Sequence, residues 1–373
     1  MESKILNDKC KNTNNNIINE DDDIILNFKN IKNLADSTTS LGGYANSFCV
    51  FNSIDNILSL IYTNGKNTMI YYNIIDERKI SEIKKAHSNY INNFIHYFDK
   101  NNKRDLILSV SSKDNNIKLW NINNLDCLID LKLIYKNGNI LSACILFEGQ
   151  DIFILASNSN LQSKEYIKVY DLNSNLVKSI NDSNDNNFYI DSFYDKKWFK
   201  NYIVTCNKGY VKSYDYYLNK IYYIYRDEND LNMSHLCAII REEENINKLY
   251  ESCYDGKIRI WNFNTGELLK KISVYHKELY GMCFWNDKYL LVGCVDKTIK
   301  LVDTEKGIFK KNFFGHGVRV VSVKKIKHPF FGECFISQGA DNNRILLWGY
   351  DMDDLPDEGK ISKIEIMKIK LMK

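Results

Sequence analysis

Proline occurs only twice in 373 residues and histidine six times, and none of the ten cysteines forms a CxxC pair. Each scarcity removes a class. HExxH, the phosphate-binding P-loop, the GxSxG nucleophile elbow and paired metal-ligand spacings are all missing. The cysteines follow no spacing pattern, and several (Cys206, Cys253, Cys294) stand in stretches that read as strands, where a free cysteine acts as a small apolar residue. That fits a reducing compartment rather than a disulfide framework. No apolar run approaches the roughly 18 residues of a membrane helix, and the polar, Asn-rich stretch Met1 to Asn19 offers no signal peptide. The expected location is cytoplasm or nucleus, with no membrane partner. Charge of one sign is lacking as well. Fifty Lys and Arg face 47 Asp and Glu, a net charge of +3, which disfavours a dedicated nucleic-acid binder with its clustered basic residues. No motif requires a cofactor, a metal or a small-molecule substrate.

What the chain does have is a core's worth of apolar residues, 44% hydrophobic and 13% aromatic, arranged in a repeat. Asp255-Gly-Lys-Ile-Arg-Ile-Trp261-Asn262 is a tight turn, an alternating strand, then an aromatic and a short polar residue. The string returns as Asp114 to Asn121, as Asp296 to Asp303 and, one residue longer, as Asp341 to Gly349. Weaker copies end at Tyr72-Asn73, Tyr170-Asp171 and Tyr214-Asp215. The anchor therefore falls at 72, 120, 170, 214, 261, 302 (as Val) and 348, near the ~40–45-residue period of four-stranded propeller blades. Helical repeats would space apolar residues by three and four, whereas these segments alternate by two. One full repeat reads as four strands: Tyr280 to Trp285, Lys288 to Val295, Thr298 to Val302 and Ile308 to Phe314.

Turn Asp, alternating strand, Trp or Tyr with Asp or Asn, and Gly315-His316 before the last repeat together resemble the WD40 (β-transducin-like) repeat family, over roughly residues 40 to 350. Ala86-His87 and Tyr275-His276 look like variants of the Gly-His pair. The resemblance implies an all-β, seven-bladed WD40 β-propeller in which each blade is a four-stranded antiparallel sheet. It also implies a hydrogen-bonded set of His, Ser, Asp and Trp pinning neighbouring strands. By position these are His87, Ser111, Asp114 and Trp120, and His316, Ser337, Asp341 and Trp348. His316, Ser337 and Asp341 are also the residue types of a catalytic triad, but their coincidence with the pinning set makes them structural, and no enzyme activity is expected.

A propeller must close, or its end blades present unpaired strand edges. Residues 1–23 read as a disordered, Asn-rich and acidic arm (Glu20 to Asp23), 24–350 as the propeller, and 351–373 as an acidic loop with a Lys-rich C-terminal segment. The seventh blade shows three strands, and the fourth comes from either 24–31 or 361–371.

Partners of the resembled family commonly dock on the top face. The residues expected there are Tyr90, Asn92, Lys113, Tyr254, Leu279 and Arg319, with the aromatic and Arg types typical of binding hot spots. The expected function is a non-catalytic scaffold or adaptor for protein partners, monomeric outside a complex. The alternatives are a substrate receptor of a cullin-type ubiquitin ligase or a structural subunit of a large assembly. The absence of any Arg-Arg pair argues against a phosphoinositide-binding propeller, and Asn123 stands where ligase receptors often carry Arg.

Overall fold

The computed structural model describes residues 24–350 apart from 37–45, 65–66, 133, 136–137, 159–164, 183–186, 230–231, 244 and 341–343. The arm 1–23, the segment 351–373 with its candidate strand 361–371, and Asp341 lie outside the described residues.

Alternating apolar strands joined by short turns give seven four-stranded antiparallel sheets. Blade I holds β2 (Cys49–Asn52), β3 (Leu58–Asn64), β4 (Thr68–Asn73) and β5 (Arg78–Ile83). Blade II holds β6 (Asn93–Asp99), β7 (Arg104–Ser111), β8 (Asn116–Asn121) and β9 (Asp126–Lys132). Blade III holds β10 (Ile140–Glu148), β11 (Asp151–Asn158), β12 (Glu165–Tyr170) and β13 (Leu176–Asn181). Blade IV holds β14 (Tyr189–Asp195), β15 (Lys200–Cys206), β16 (Val211–Asp215) and β17 (Lys220–Tyr225). Blade V holds β18 (His235–Glu242), β19 (Asn247–Cys253), β20 (Lys257–Asn262) and β21 (Leu268–Ser273). Blade VI holds β22 (Leu279–Phe284), β23 (Tyr289–Cys294), β24 (Thr298–Asp303) and β25 (Ile308–Phe314). Blade VII holds β26 (Val320–His328), β27 (Gly332–Gly339) and β28 (Arg344–Gly349), and its outer strand is β1 (Lys29–Asp36). All seven anchors sit on the third strand of a blade.

The N-terminal segment thus closes the ring, but five residues later than the apolar run at 24–31 indicates. Ile24–Asn27 form a 3-10 turn instead of a strand. The reason is burial on all sides: Ile25 and Phe28 are in the core, and Phe28 packs edge-on to Trp285 at 5.2 Å and against Tyr350 at 5.5 Å. The strand proper, Lys-Asn-Ile-Lys-Asn-Leu-Ala-Asp, is mostly solvated, as an outer strand should be. It pairs antiparallel with β28 from Lys29 opposite Gly349 to Asp36 opposite Arg344.

Period-two alternation splits the core into layers between blades. In β7, Leu106, Leu108 and Val110 pack toward blade III, while Ile107 packs with Trp120 toward blade I. The same division recurs between blades III and IV, VI and VII, and VII and I. Gly315 shows why a glycine precedes His316: a Cβ there would come within 2.9 Å of the Trp348 ring. The top of the ring carries the links between blades and the turns joining second to third strands. The bottom carries the other turns.

Candidate interaction face

The chemistry of the top begins with what fixes it. In blade II, His87 Nε2 lies 2.7 Å from Ser109 Oγ, and the Trp120 indole N–H donates to the same oxygen at 2.8 Å. In blade VII, His316 Nε2 is 2.7 Å from Ser337 Oγ, which also accepts from Trp348 Nε1 at 2.7 Å. The hydroxyl in blade II is therefore Ser109 and not Ser111. Both lie on one face of β7, because side chains two apart point the same way, but Ser109 is the one placed diagonally beside Trp120, which pairs with Ile107. Ser111 Oγ is buried without a hydrogen bond. Asp114 turns its carboxylate to the backbone N–H groups of Ser88 and Asn89, both at 2.8 Å, and so holds the chain just past His87. Burial drives the pKa of His87 and of His316 down to about 4, so both rings are neutral near pH 7. Each Ser hydroxyl, bonded to both His and Trp, is fully buried.

Blade V fills the same place with charge. Glu251, opposite Arg259, occupies the position that Ser109 holds opposite Lys118. Arg259, fully buried, donates through Nε to Asp227 at 2.9 Å and through Nη2 to Asp255 at 2.6 Å, and its Nη1 lies 3.7 Å from Glu251. Lys271 reaches Asp227 at 2.6 Å. His235 Nδ1 lies 3.1 Å from Glu251 Oε2 in a geometry that makes no hydrogen bond. Burial works to raise the Asp255 carboxyl, yet the hydrogen bond and charge of Arg259 hold it below the usual range. The Trp261 indole N–H has no hydrogen-bond partner. This network went unread in the sequence. The signal available was Glu251 on a strand that elsewhere carries Ser.

Of the six residues expected to face a partner, the structure gathers two. Tyr254, in the β19–β20 turn, and Arg319, in the link before β26, flank Tyr280 of β22. The Tyr254 and Tyr280 rings are 6.4 Å apart and near-perpendicular, and the Arg319 guanidinium lies 5.8 Å from the Tyr280 ring centre. Burial raises the Tyr254 phenol, with Glu278 adding to the rise and Arg319 opposing it. Burial likewise pushes Tyr280 up to about 12. The cluster spans blades V, VI and VII at the top.

Lys113 stands over the half-buried Tyr90 ring at 5.5 Å, apart from this cluster on blade II. Two expectations are corrected. Leu279 is 0% exposed, in the core between blades, where a bulge in β22 between Leu279 and Met282 shifts the alternation, and Tyr280 beside it is only 8% exposed. Asn92 is buried too, its side-chain oxygen accepting the Ser112 N–H at 3.0 Å, so it shapes the β7–β8 turn instead of a surface.

Inside the ring, a cavity of about 330 Å³ is lined by Asp191, Phe193, Ile239, Met282, Cys283 and Lys324, among others. Asp191 accepts from the Tyr189 hydroxyl at 2.9 Å, and Lys324 donates to Asn46 at 2.9 Å. Among the described residues no cluster of three or more His, Cys, Asp or Glu is arranged to hold a metal ion, and no helix is long and apolar enough to cross a membrane.

Seven four-stranded antiparallel blades closed by an N-terminal strand define the class: the protein is a seven-bladed β-propeller. The architecture is consistent with the WD40 type. No protein-family model matches the chain, and no curated protein matches it in sequence.

Proposed function

We propose that this propeller is a WD40-type scaffold or adaptor, without catalytic activity of its own, that holds a protein partner on its top face in the cytoplasm or nucleus. The observation that carries the reading is the Tyr254–Tyr280–Arg319 cluster. Three adjacent blades contribute to it, it sits on a rigid frame, and it consists of side chains enriched in binding hot spots. Placing a hot spot on turns held by the His–Ser–Trp sets and the Arg259 network means that little conformational freedom is lost on binding. Of the residues that resemble a hydrolytic triad, His316 and Ser337 are joined to Trp348 inside blade VII, which supports a structural role for them.

The reading is tested by affinity purification from the source organism, comparing wild type with Arg319→Glu. Charge reversal beside Tyr280 is expected to abolish recovery of the partner while leaving the melting temperature unchanged. Undiminished recovery would count against the top face. Co-purification of a cullin adaptor would replace the general scaffold by the ligase-receptor alternative.

A further inference from the structure

The bottom of blade IV departs from the rest of the ring. Its β14–β15 turn ends in Lys196-Lys197-Trp198-Phe199, and its β16–β17 turn in Tyr217-Leu218. Trp198 is 60% exposed, Phe199 75% and Leu218 59%, and Tyr194 is exposed at the base of the first turn. The two turns are neighbours, because β15 pairs with β16 from Tyr202 opposite Asp215 upward. The corresponding tips of blades II and V are polar, as in Lys100 to Lys103, Asn123 and Asn124, and Asn264 to Gly266, while Phe330 and Phe331 in the first turn of blade VII are half-buried against His328.

Local structure does not account for these aromatics. Phe199 adopts a left-handed backbone, φ 52°, a conformation unfavourable for a bulky side chain. In the first turns of other blades the positive-φ residues are Asn56, Lys103 and Gly149. Asn would relieve the strain and keep the tip in water.

Both signs of charge border the patch, but its acids are paired, Glu242 with Lys196 and Glu243 with Lys248. The acids of the turns face inward. Asp195 accepts the N–H groups of Lys197 and Trp198 and the Asn247 amide, and Asp215 those of Tyr217 and Leu218. Lys196 pairs with Glu242 and Lys200 reaches Asp215 at 3.5 Å. Lys197 and Lys220 have no carboxylate partner among the described residues. The patch therefore shows large exposed apolar tips beside two lysines without a carboxylate partner, and exposed apolar patches of this kind mark interaction sites. Beside it runs a groove of about 510 Å³, walled by Trp198, Tyr222 and Ile246 and by the paired Glu242 and Glu243.

We infer that the bottom edge of blade IV is a second docking surface, built for an acidic segment of a partner protein whose apolar side chains pack on Trp198, Phe199 and Leu218 while its carboxylates face Lys197 and Lys220. This builds on the scaffold reading and adds a face opposite the Tyr254–Tyr280–Arg319 cluster. Two docking faces let one ring bridge two partners.

A photo-crosslinking residue at Leu218 of the full-length chain, expressed in the source organism, tests it, with a second probe at Tyr254 as the top-face reference. The expected result is a cross-linked peptide from another protein, rich in Asp and Glu and carrying apolar residues. Its yield should fall about tenfold in Lys197→Glu/Lys220→Glu and in Phe199→Asn, the loss of one buried contact or charge pair. Phe199→Asn should melt no lower than wild type, so its loss of cross-linking reports contact and not folding. A lipid adduct at Leu218, a cross-link to a second copy, a peptide without acidic character, or capture at Tyr254 alone would overturn the second surface and leave the scaffold reading standing. Silence at both probes would overturn both.

Discussion

Blades II and V meet the same structural need with different chemistry. Blade II joins a buried His87, Ser109 and Trp120 through neutral hydrogen bonds. Blade V buries Arg259 among Asp227, Asp255 and Glu251, brings Lys271 alongside, and leaves the Trp261 N–H without a hydrogen bond. What the fold requires at this point is a filled interface between blade and link, and not one particular set of side chains. The charged version carries a greater liability. A buried ion network contributes little net stability when complete, but losing one member strands the others in a low-dielectric interior.

The strongest way to break the comparison is Arg259→Met, which takes the guanidinium from buried Glu251 and leaves Asp227 and Asp255 with only Lys271 and Lys257. It should destabilise the ring by about 3–5 kcal/mol, read as a shift of the urea midpoint. A loss under about 1 kcal/mol would mean that the network is not organised around Arg259.

Acid separates the two blades next. His87 and His316 fall from an ordinary pKa near 6.5 to about 4 on folding, through burial. Between those values the unfolded chain takes up protons that the folded chain refuses. Stability therefore declines as pH falls from about 6.5 to 4, with a slope approaching 1.4 kcal/mol per pH unit for each histidine. Asp255 behaves oppositely in position. Its carboxyl is held low, so its contribution is present above the ordinary carboxylate pKa and lost only as pH falls through the depressed one, below about 4. His87→Gln should flatten the upper part of a stability–pH curve and leave the lower part intact. An unchanged slope between pH 6.5 and 4.5 would refute the assignment.

Ser109→Ala should cost about 1–3 kcal/mol by stranding His87 and Trp120, and Ser111→Ala, which breaks no hydrogen bond, clearly less. Equal losses by thermal melting would erase the distinction between the two serines. The smallest effect concerns the indoles. Trp120→Phe forfeits a hydrogen bond that Trp261→Phe does not, so it should be the worse of the two by about 1 kcal/mol.

These contrasts show what the sequence discloses and where it stops. The seven anchors, the strand limits of blade VI and the three inner strands of blade VII were legible because each rests on alternation reinforced by a turn. Ser109 and Ser111 were not separable, since a period of two puts both on one face and only the pairing register chooses between them. Leu279 was mistaken for surface because a bulge breaks the parity at the start of β22 and both Leu279 and Tyr280 turn inward. The apolar run Ile24-Ile-Leu read as a strand, while the polar segment after it is the strand, since an outer edge needs few apolar residues. Blade V hid its network because Asp227 lies 32 residues before Arg259, and only register sets Glu251 opposite Arg259. The bottom of blade IV gave a sequence signal, Trp198-Phe199 in a turn, whose meaning appears only once exposure is known.

The pairing of Lys29–Asp36 with Arg344–Gly349 also places a constraint on biosynthesis. The first strand leaves the ribosome roughly three hundred residues before the strand it joins, a wait on the order of 15–60 s at ordinary elongation rates. Throughout that interval the nascent chain is an open arc with a naked edge at each end. The polar character of the early strand, with its two lysines and two asparagines, is suited to keeping that edge soluble and unpaired until its own seventh blade arrives.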